Sequence, residues 1–205
     1  VGSEMCIRDS RNALLKQMGS FGNGSNQTLQ IYNEQLVKFG TPIHISRLRY
    51  LSAFEPLFKK RYSSISGEIE NVSISYESQL LKSDFETLLE NSANQDRNAQ
   101  FSTAGIHKDD LIFKIDNYPI KKFGSQGQRK SLLIALKLAQ FDMLKQSTQV
   151  TPILLLDDIF DKLDEKRVAK IVSLVYESSF GQLFLTDTHS KRTADVIKKT
   201  QQSFQ

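Results

Sequence analysis

Residues 124–158 read GSQGQRKSLLIALKLAQFDMLKQSTQVTPILLLDD, and this stretch decides the fold. A loop of glycine, serine and glutamine leads into a segment that predicts a long helix, from Lys130 to about Lys145. The apolar run Ile153–Leu156 then follows Pro152 and ends in two carboxylates. An unbroken aliphatic run of this kind is typical of a parallel strand that is buried on both faces.

The same alternation continues towards the C-terminus. The apolar spacing of Val168, Ile171, Val172 and Val175 predicts a helix, and Gln182–Thr186 predicts a second buried strand with a last helix beyond it. Loop, helix, strand, helix, strand and helix follow one another as in an α/β sheet with helices on its faces. The predicted fold class is therefore α/β.

Helical patterns dominate residues 11–100, which we predict to form a helical lobe with a short β element. The predicted segments are helices at Arg11–Met18, Thr28–Phe39, Thr41–Tyr62 with a kink at Pro56, and Leu80–Leu89, and a strand at Val72–Tyr76. The polar segment Asn91–Gln100 predicts a linker to a second domain, residues 101–205. That domain opens with an alternating strand at Leu111–Ile115 and a turn at Asn117–Pro119.

The first ten residues, VGSEMCIRDS, differ from the sequence that follows. They resemble translated adapter sequence at the end of an environmental fragment, so residues 1–10 are predicted to be a non-native leader and are set aside from the fold. Position 1 is not methionine. We therefore expect the chain to be part of a longer protein.

Composition excludes several classes of protein. The 205 residues are 39% apolar and 24% charged, the balance of a soluble globular protein. No apolar run approaches the roughly 18 residues of a membrane span, and the single cysteine, Cys6, supports neither a disulfide framework nor a thiolate zinc site. These features favour a cytoplasmic protein with no membrane partner.

The net charge of +4 is unevenly distributed. Residues 101–205 contain 16 Lys and Arg against 12 Asp and Glu, whereas residues 1–100 contain 11 of each. The excess is compatible with phosphate or nucleic acid partners, and equally with an ordinary solvated surface.

The loop at 124–129 is a candidate phosphate site because it immediately precedes a helix. A helix N-terminus presents unpaired amide donors and the positive end of the helix dipole, which suit an anion. Ser125 adds a hydroxyl, and Gly127 permits close approach of the backbone. The alternative is a glycine loop in which Ser125 only caps the helix.

Two strand ends provide the other candidates. Asp157 and Asp158 follow the first buried strand, where Asp157 could hold Mg²⁺ and Asp158 could orient or deprotonate a water. The alternative is a helix-capping or solvated pair. Asp164 is a plausible N-cap of the next helix, and His189 ends the second strand, either as a structural residue or beside a nucleotide.

Taken together, the motifs resemble the C-terminal half of an ABC-type ATPase head: signature loop, Walker B, D-loop and switch histidine, over Gly124–His189. Within that superfamily, GSQGQRKSLLIALKLAQ, LLLDDIFDKLDE and GQLFLTDTH resemble the RecF family. The element GIHKDD at 105–110 is similar to that family's GPHRDD, and Tyr32-Asn33 with the following helices is similar to its helical lobe.

The resemblance implies an ATP-dependent DNA-binding protein of replication, gap repair and the SOS response. It implies a homodimer closed by ATP, in which Ser125, Gly127 and Gln128 contact the γ-phosphate held by the other copy and Asp164 lies at the interface. Its partners would be single-stranded or gapped DNA and proteins of the RecO and RecR type, and it would assist recombinase loading.

Three further residues receive roles from the resemblance. Asp157 would serve Mg²⁺, Asp158 would take the catalytic acid position and His189 would sense the γ-phosphate. Most ABC ATPases have Glu where this chain has Asp158, and the shorter side chain favours slow, switch-like hydrolysis.

The main phosphate loop, G-x-x-x-x-G-K-[ST], is absent from this sequence. Residues 19–26, GSFGNGSN, have similar glycine spacing but place Ser25 where the lysine belongs, and they follow a helix. We therefore expect the chain alone to be an inactive ATPase. The alternatives are a nucleotide-binding subunit of an ABC transporter, a chromosome-maintenance or Rad50-like head, and a non-catalytic interaction module.

Overall fold

The computed structural model describes residues 2–21, 26–67, 70–157, 163–177 and 180–186. The described chain alternates helices with short strands. The helices are α1 (Gly2–Phe21), α2 (Asn26–Ser66), α3 (Phe85–Ala99), α4 (Ile120–Phe123), α5 (Gln126–Thr148) and α6 (Glu165–Glu177). The strands are β1 (Val72–Glu77), β2 (Asp110–Ile115), β3 (Tyr118–Pro119), β4 (Leu154–Leu156) and β5 (Leu183–Leu185).

The predicted α/β class is confirmed. β1, β2 and β3 form one sheet in that order, with β2 and β3 antiparallel. Asp116 and Asn117 join β2 to β3 with φ of 47° and 70°, the left-handed conformation that two-residue hairpin loops require. The predicted turn therefore lies one residue earlier than expected, and Tyr118–Pro119 is already strand.

The second sheet contains β4 and β5, which are parallel with Leu154 opposite Leu183 and Leu156 opposite Leu185. α6 lies between them in sequence, so the described segment is a β-α-β unit. The predicted helix–strand–helix–strand order is thus confirmed as far as Thr186. The predicted last helix lies outside the described residues.

The chain divides into two compact units. Unit 1 contains residues 1–51 and 75–112, and unit 2 contains residues 52–74 and 113–205. Each unit is therefore assembled from two separate segments, with divisions that fall inside α2, β1 and β2. The predicted division at residue 100 stays a prediction.

Unit 1 has a small apolar core between helices. Leu36 of α2, Phe85 and Leu89 of α3, and Ile106 form its buried cluster. The unit also contains a fully buried ion pair, Arg11–Asp96, with Arg11 Nη2 2.8 Å from Asp96 Oδ2.

Unit 2 has the larger core. The second part of α2 contributes its aromatic face, α5 a row of small and aliphatic residues, and α6 its valine–isoleucine face. The fully buried members include Phe58, Tyr62, Ile65, Ala135, Leu138, Ala139, Val168 and Ile171. Because these elements share one cluster, the core packs α5 and α6 together with the second part of α2.

The prediction that Ile153–Leu156 is buried on both faces is wrong. Leu154 and Leu156 belong to the unit 2 core, but Leu155 is 69% exposed. Successive side chains of a strand point to opposite faces, and no described element covers the face of Leu155 and its neighbour Phe184.

The predicted break at Gly40 and Thr41-Pro42 is also wrong, because α2 continues from Asn26 to Ser66 through both Pro42 and Pro56. Gly40 has a packing role instead. A Cβ added there would lie 2.4 Å from Cε1 of Phe85. The glycine therefore allows α3 to approach α2 closely, which is not a helix-ending role.

One other segment differs from expectation, and one prediction stays open. The predicted linker Asn91–Gln100 is mostly helix, since α3 extends from Phe85 to Ala99 and ends at Gln100 in the left-handed conformation. That residues 1–10 are a non-native leader stays a prediction; from Gly2 onward they form the first half of α1, and Glu4 is buried.

Candidate phosphate-binding site

Ser125 is the N-cap of α5 and forms a reciprocal capping box with Gln128. The Ser125 side chain accepts a hydrogen bond from the Gln128 backbone N–H at 3.1 Å, and the Gln128 side chain accepts one from the Ser125 N–H at 2.9 Å. Both orphan amides are satisfied in this way. The capping alternative considered for Ser125 is therefore real, and it leaves the exposed hydroxyl hydrogen available for a second partner.

The electrostatics of this helix end favour an anion. The first turn of α5 contains no acidic residue, and the basic residues Arg129 and Lys130 come directly after Gln128. Arg129 also donates to the backbone oxygen of Lys121 at 3.2 Å. The positive end of the helix dipole and these cations both attract a phosphate, so their effects add.

Behind the cap, Gln128 is held by Glu70. Its Nε2 donates to Glu70 Oε1 at 3.0 Å while its Oε1 serves the Ser125 amide. Glu70 also accepts from the Tyr62 hydroxyl and from Arg167, whose Nη2 lies 3.0 Å from Oε1. The Glu70 side chain is only 15% exposed, and each of its contacts comes from a different helix.

These contacts set the charge states. Burial would raise the pKa of Glu70, but the hydrogen bonds from Tyr62 and Gln128 and the charge of Arg167 outweigh it, so the pKa lies below its usual value. Burial raises the pKa of the Tyr62 phenol, and the adjacent carboxylate raises it further. Glu70 is thus an anion and Tyr62 a neutral donor near neutral pH.

Arg167 connects Glu70 to the predicted D-loop residue Asp164. Its Nε lies 3.3 Å from Asp164 Oδ2, and its Nη1 donates to the buried Ser131 hydroxyl of α5 at 2.9 Å. Asp164 Oδ1 accepts from the Arg167 backbone N–H at 2.9 Å. The predicted N-cap role of Asp164 is therefore confirmed.

Asp157 occupies the C-terminal end of β4, as predicted. It is exposed, and it accepts a hydrogen bond from the Thr186 hydroxyl at the end of β5. An exposed carboxylate with a neighbouring hydroxyl is an oxygen donor set that suits Mg²⁺, which keeps several waters and takes few protein ligands. No described group of three or more His, Cys, Asp or Glu side chains forms a ready-made metal cage.

The structure brings Ser125, Gln128 and Asp164 into one hydrogen-bonded network through Glu70 and Arg167. Asp158 and His189 lie outside the described residues. Sequence reasoning missed Glu70 and Arg167. The three-residue spacing of Asp164 and Arg167 was a readable signal, but Glu70 is 58 positions from Gln128 and 97 from Arg167, and no local pattern marks it.

The GIHKDD element lies in unit 1 and is held by its own ion pair. Arg47 donates to Asp109 at 2.6 Å and to the backbone oxygen of Ile106 at 2.7 Å. Gly105 has φ 128° and ψ 178°, a conformation almost restricted to glycine. Burial lowers the pKa of His107, whose Nε2 lies 3.1 Å from the Ser102 backbone oxygen.

Exposed aromatic rings and lysines precede the cap. Tyr118 and Phe123 are 64% and 59% exposed with ring centroids 5.8 Å apart, and the Lys122 ammonium lies 5.2 Å from the Phe123 ring centroid. Lys121 is also exposed. Aromatic faces beside cations are a surface that single-stranded nucleic acid favours.

Known proteins match this chain along almost all its length. It is 54% identical over 194 residues to the DNA replication and repair protein RecF of Flavobacterium johnsoniae, covering 95% of this chain and 54% of that protein. It is 42% identical over 195 residues to the RecF of Phocaeicola vulgatus, covering 95% and 52%. This chain belongs to the RecF family.

The fold agrees with that of a solved RecF. The recombination mediator protein RecF with ATP, of the RecFOR pathway, superposes with a TM-score of 0.75 at 27% identity, over 92% of this chain and 52% of that one. The chain thus spans about half the length of the RecF proteins it matches. No family model matches it. None of the helices in the described ranges combines the length and apolar character that a membrane span requires.

Proposed function

We propose that this chain is the signature-bearing part of an ATP-dependent DNA replication and repair protein. The observation that carries the proposal is the exposed, capped N-terminus of α5. Ser125 accepts the Gln128 amide with a lone pair, so it can donate its hydroxyl hydrogen to a phosphate oxygen without losing the cap. The family relatives named for DNA replication and repair support the same conclusion.

In this proposal the nucleotide is ATP held by a second copy. A solved relative is a RecF–ATP complex, which supports ATP as the ligand. Ser125, Gly127 and Gln128 of one chain contact the γ-phosphate bound to the other, and Asp164 lies at the same interface. ATP therefore closes a homodimer, and hydrolysis opens it.

The hydrolytic residues of the proposal lie at the strand ends. Asp157 with the Thr186 hydroxyl supplies oxygen ligands that Mg²⁺ accepts, Asp158 takes the catalytic acid position and His189 senses the γ-phosphate. Because the Asp158 side chain is one methylene shorter than Glu, we propose slow turnover. A fast burst of phosphate release on mixing the completed protein with ATP would contradict slow turnover.

The DNA side of the proposal is single-stranded or gapped duplex DNA, bound by the closed dimer together with RecO- and RecR-type partners that assist recombinase loading. The exposed rings of Tyr118 and Phe123 beside Lys121 and Lys122 suit a nucleic acid. The rings offer stacking, and the lysines offer phosphate contacts whose strength falls with salt.

The decisive experiment uses a chimaera that joins this chain to the part of the Flavobacterium johnsoniae relative outside the matched region. Dimerisation is measured by sedimentation velocity with Mg-ATP and with Mg-ADP. Ser125→Asn and Ser125→Asp form a matched pair, because both side chains cap helices well and differ mainly in charge. Ser125→Arg adds a bulky side chain at the same point.

If Ser125 faces a γ-phosphate in trans, ATP dimerises the chimaera. Ser125→Asp then weakens dimerisation by about tenfold or more relative to Ser125→Asn, because its carboxylate repels the phosphate. A tenfold change corresponds to roughly 1.4 kcal/mol. Ser125→Arg abolishes dimerisation. Equal dimerisation of the Asn and Asp variants would show that Ser125 is only a helix cap, and the proposed function would lose its support.

A further inference from the structure

Glu70 joins two loops that the proposed function treats separately. On one side it accepts from Gln128, which closes the capping box of α5, and on the other it pairs with Arg167, which contacts Asp164. The continuous path is Asp164, Arg167, Glu70, Gln128, Ser125. Every step in it is a hydrogen bond or ion pair of 3.3 Å or less.

The Gln128 carboxamide is the switchable step. Its two ends have opposite chemistry, and Glu70 accepts only from the amino end. The carbonyl end is therefore directed to the Ser125 amide, where it completes the capping box. Without the Glu70 carboxylate, only the Ser125 N–H, which requires the carbonyl end, would select this orientation of Gln128 over the flipped one.

Arg167 makes the path respond to Asp164. Its guanidinium divides its donors among Asp164, Glu70 and the Ser131 hydroxyl. Asp164 is 61% exposed at the start of α6, whereas Glu70 and Arg167 are 15% and 17% exposed. A contact that draws Asp164 away therefore redistributes the Arg167 donors next to Glu70, inside the protein.

We propose that Glu70 is a positioning residue that transmits the state of Asp164 to the Ser125–Gln128 capping box. The inference deepens the proposed function, on which its role in an ATP-closed dimer rests. In that dimer, engagement of Asp164 at the interface adjusts the groups that meet the γ-phosphate. Glu70 itself touches neither nucleotide nor Mg²⁺.

The coupling is tested first in the 205-residue chain without ATP. The readouts are the NMR shifts of the Gln128 side-chain amide and the Ser125 backbone N–H, measured in Asp164→Ala, in Glu70→Ala and in the double variant. We expect Asp164→Ala to shift both signals in the wild-type background and to leave them unchanged in the Glu70→Ala background. A fold or stability effect is recognised from the amide signals of Ala135 and Leu138 inside α5, which should not move.

Two further variants separate position from charge. Glu70→Gln keeps an acceptor for Gln128 but removes the ion pair with Arg167, so the capping box should persist while its sensitivity to Asp164 is lost. Glu77→Gln removes a charge from an exposed glutamate of β1 and should change neither signal. Equal responses to Asp164→Ala with and without Glu70 would overturn the proposal.

The chimaera then distinguishes this inference from the proposed function. Glu70→Ala should weaken ATP-driven dimerisation about fivefold to tenfold, within the range typical of couplings between sites. ATP binding to the monomeric chimaera should be unchanged. If Ser125→Asp leaves dimerisation intact, the proposed function fails. The NMR comparison of the single and double variants still decides whether Glu70 couples Asp164 to the capping box. Unaltered dimerisation in Glu70→Ala, in a chimaera that Ser125→Asp disrupts, would overturn the transmitted effect.

Discussion

The two units each contain a network built from an arginine and a carboxylate, and the networks differ in exposure. In unit 1, Arg11 and Asp96 are both 0% exposed, and Arg11 also donates to Asn33 and Ser102 at 2.7 Å. In unit 2, Glu70 and Arg167 are half-buried, and the chain of contacts ends at exposed Asp164. A network without an exposed end can only hold elements together, whereas one with an exposed end can respond to a partner.

The comparison predicts the largest stability loss in unit 1. Arg11→Met strands the buried Asp96 carboxylate, and removing one member of a buried pair costs about 3–5 kcal/mol in the free energy of unfolding. Urea unfolding measures the loss. Because the chain has no tryptophan, far-ultraviolet circular dichroism is the suitable signal, with amide exchange in α1 and α3 to localise the effect.

Two variants control that measurement. Arg11→Met with Asp96→Asn removes the buried charge but keeps an acceptor for the Thr103 amide, so it should be more stable than Arg11→Met alone. Lys16→Met, at an exposed site on the same helix, should change little. If Arg11→Met were as stable as Lys16→Met, the pair would not hold unit 1 together.

A second prediction tests how much the backbone of the GIHKDD element, at Gly105, contributes to the stability of unit 1. Gly105→Ala forces a side chain into φ 128°, with its Cβ 3.2 Å from Cζ of Phe85. Backbone conformations of this kind cost about 1–3 kcal/mol for other residues, so unit 1 should lose stability in that range by urea unfolding. Gly19→Ala lies in α1, where alanine is favoured and the neighbour is the flexible Gln100 side chain, and it should not destabilise.

A third prediction concerns acid. The pKa of Glu70 in the folded chain lies below its ordinary value of 4.5, so the ionised form stabilises the native state above that pH. This contribution, on the order of 1 kcal/mol for a partly solvated pair, is lost as the pH falls through the lower folded pKa. The stability difference between wild type and Glu70→Gln should therefore be present near neutral pH and vanish in acid. A difference that grew on acidification would contradict the assignment.

The predictable parts of the fold are those with strong local patterns. The helix α5, the strands β1, β2, β4 and β5 and the Asp164 cap follow from apolar period and capping chemistry in short windows. The errors arise where tertiary packing overrides a local signal. Gly40 resembles a helix end but accommodates Phe85, and Asn91–Gln100 resembles a linker although Ser92 and Asp96 are buried.

The same division holds for the site. Ser125 and Gln128 are three residues apart, the spacing of a capping box, and were accessible to motif reasoning together with Asp157 and Asp164. Glu70 was not, because its role depends on α5 and α6 packing around it in the unit 2 core. Motifs identify the groups that meet a ligand, whereas the residues that position those groups follow only from the packed structure.

The smallest predicted effect lies at the exposed end of the unit 2 network. Ser125→Ala removes the cap acceptor for the Gln128 amide and should cost about 1 kcal/mol in unfolding free energy, and Ser125→Asn, a good cap, should cost less. Both are measured by urea unfolding of the 205-residue chain. A loss of unfolding free energy as large as that of Arg11→Met would mean that the cap is mainly structural. A small loss, combined with the Asn–Asp difference in ATP-driven dimerisation, would assign Ser125 mainly to the ligand, because an exposed residue that contributes little to stability yet controls assembly acts through what it binds.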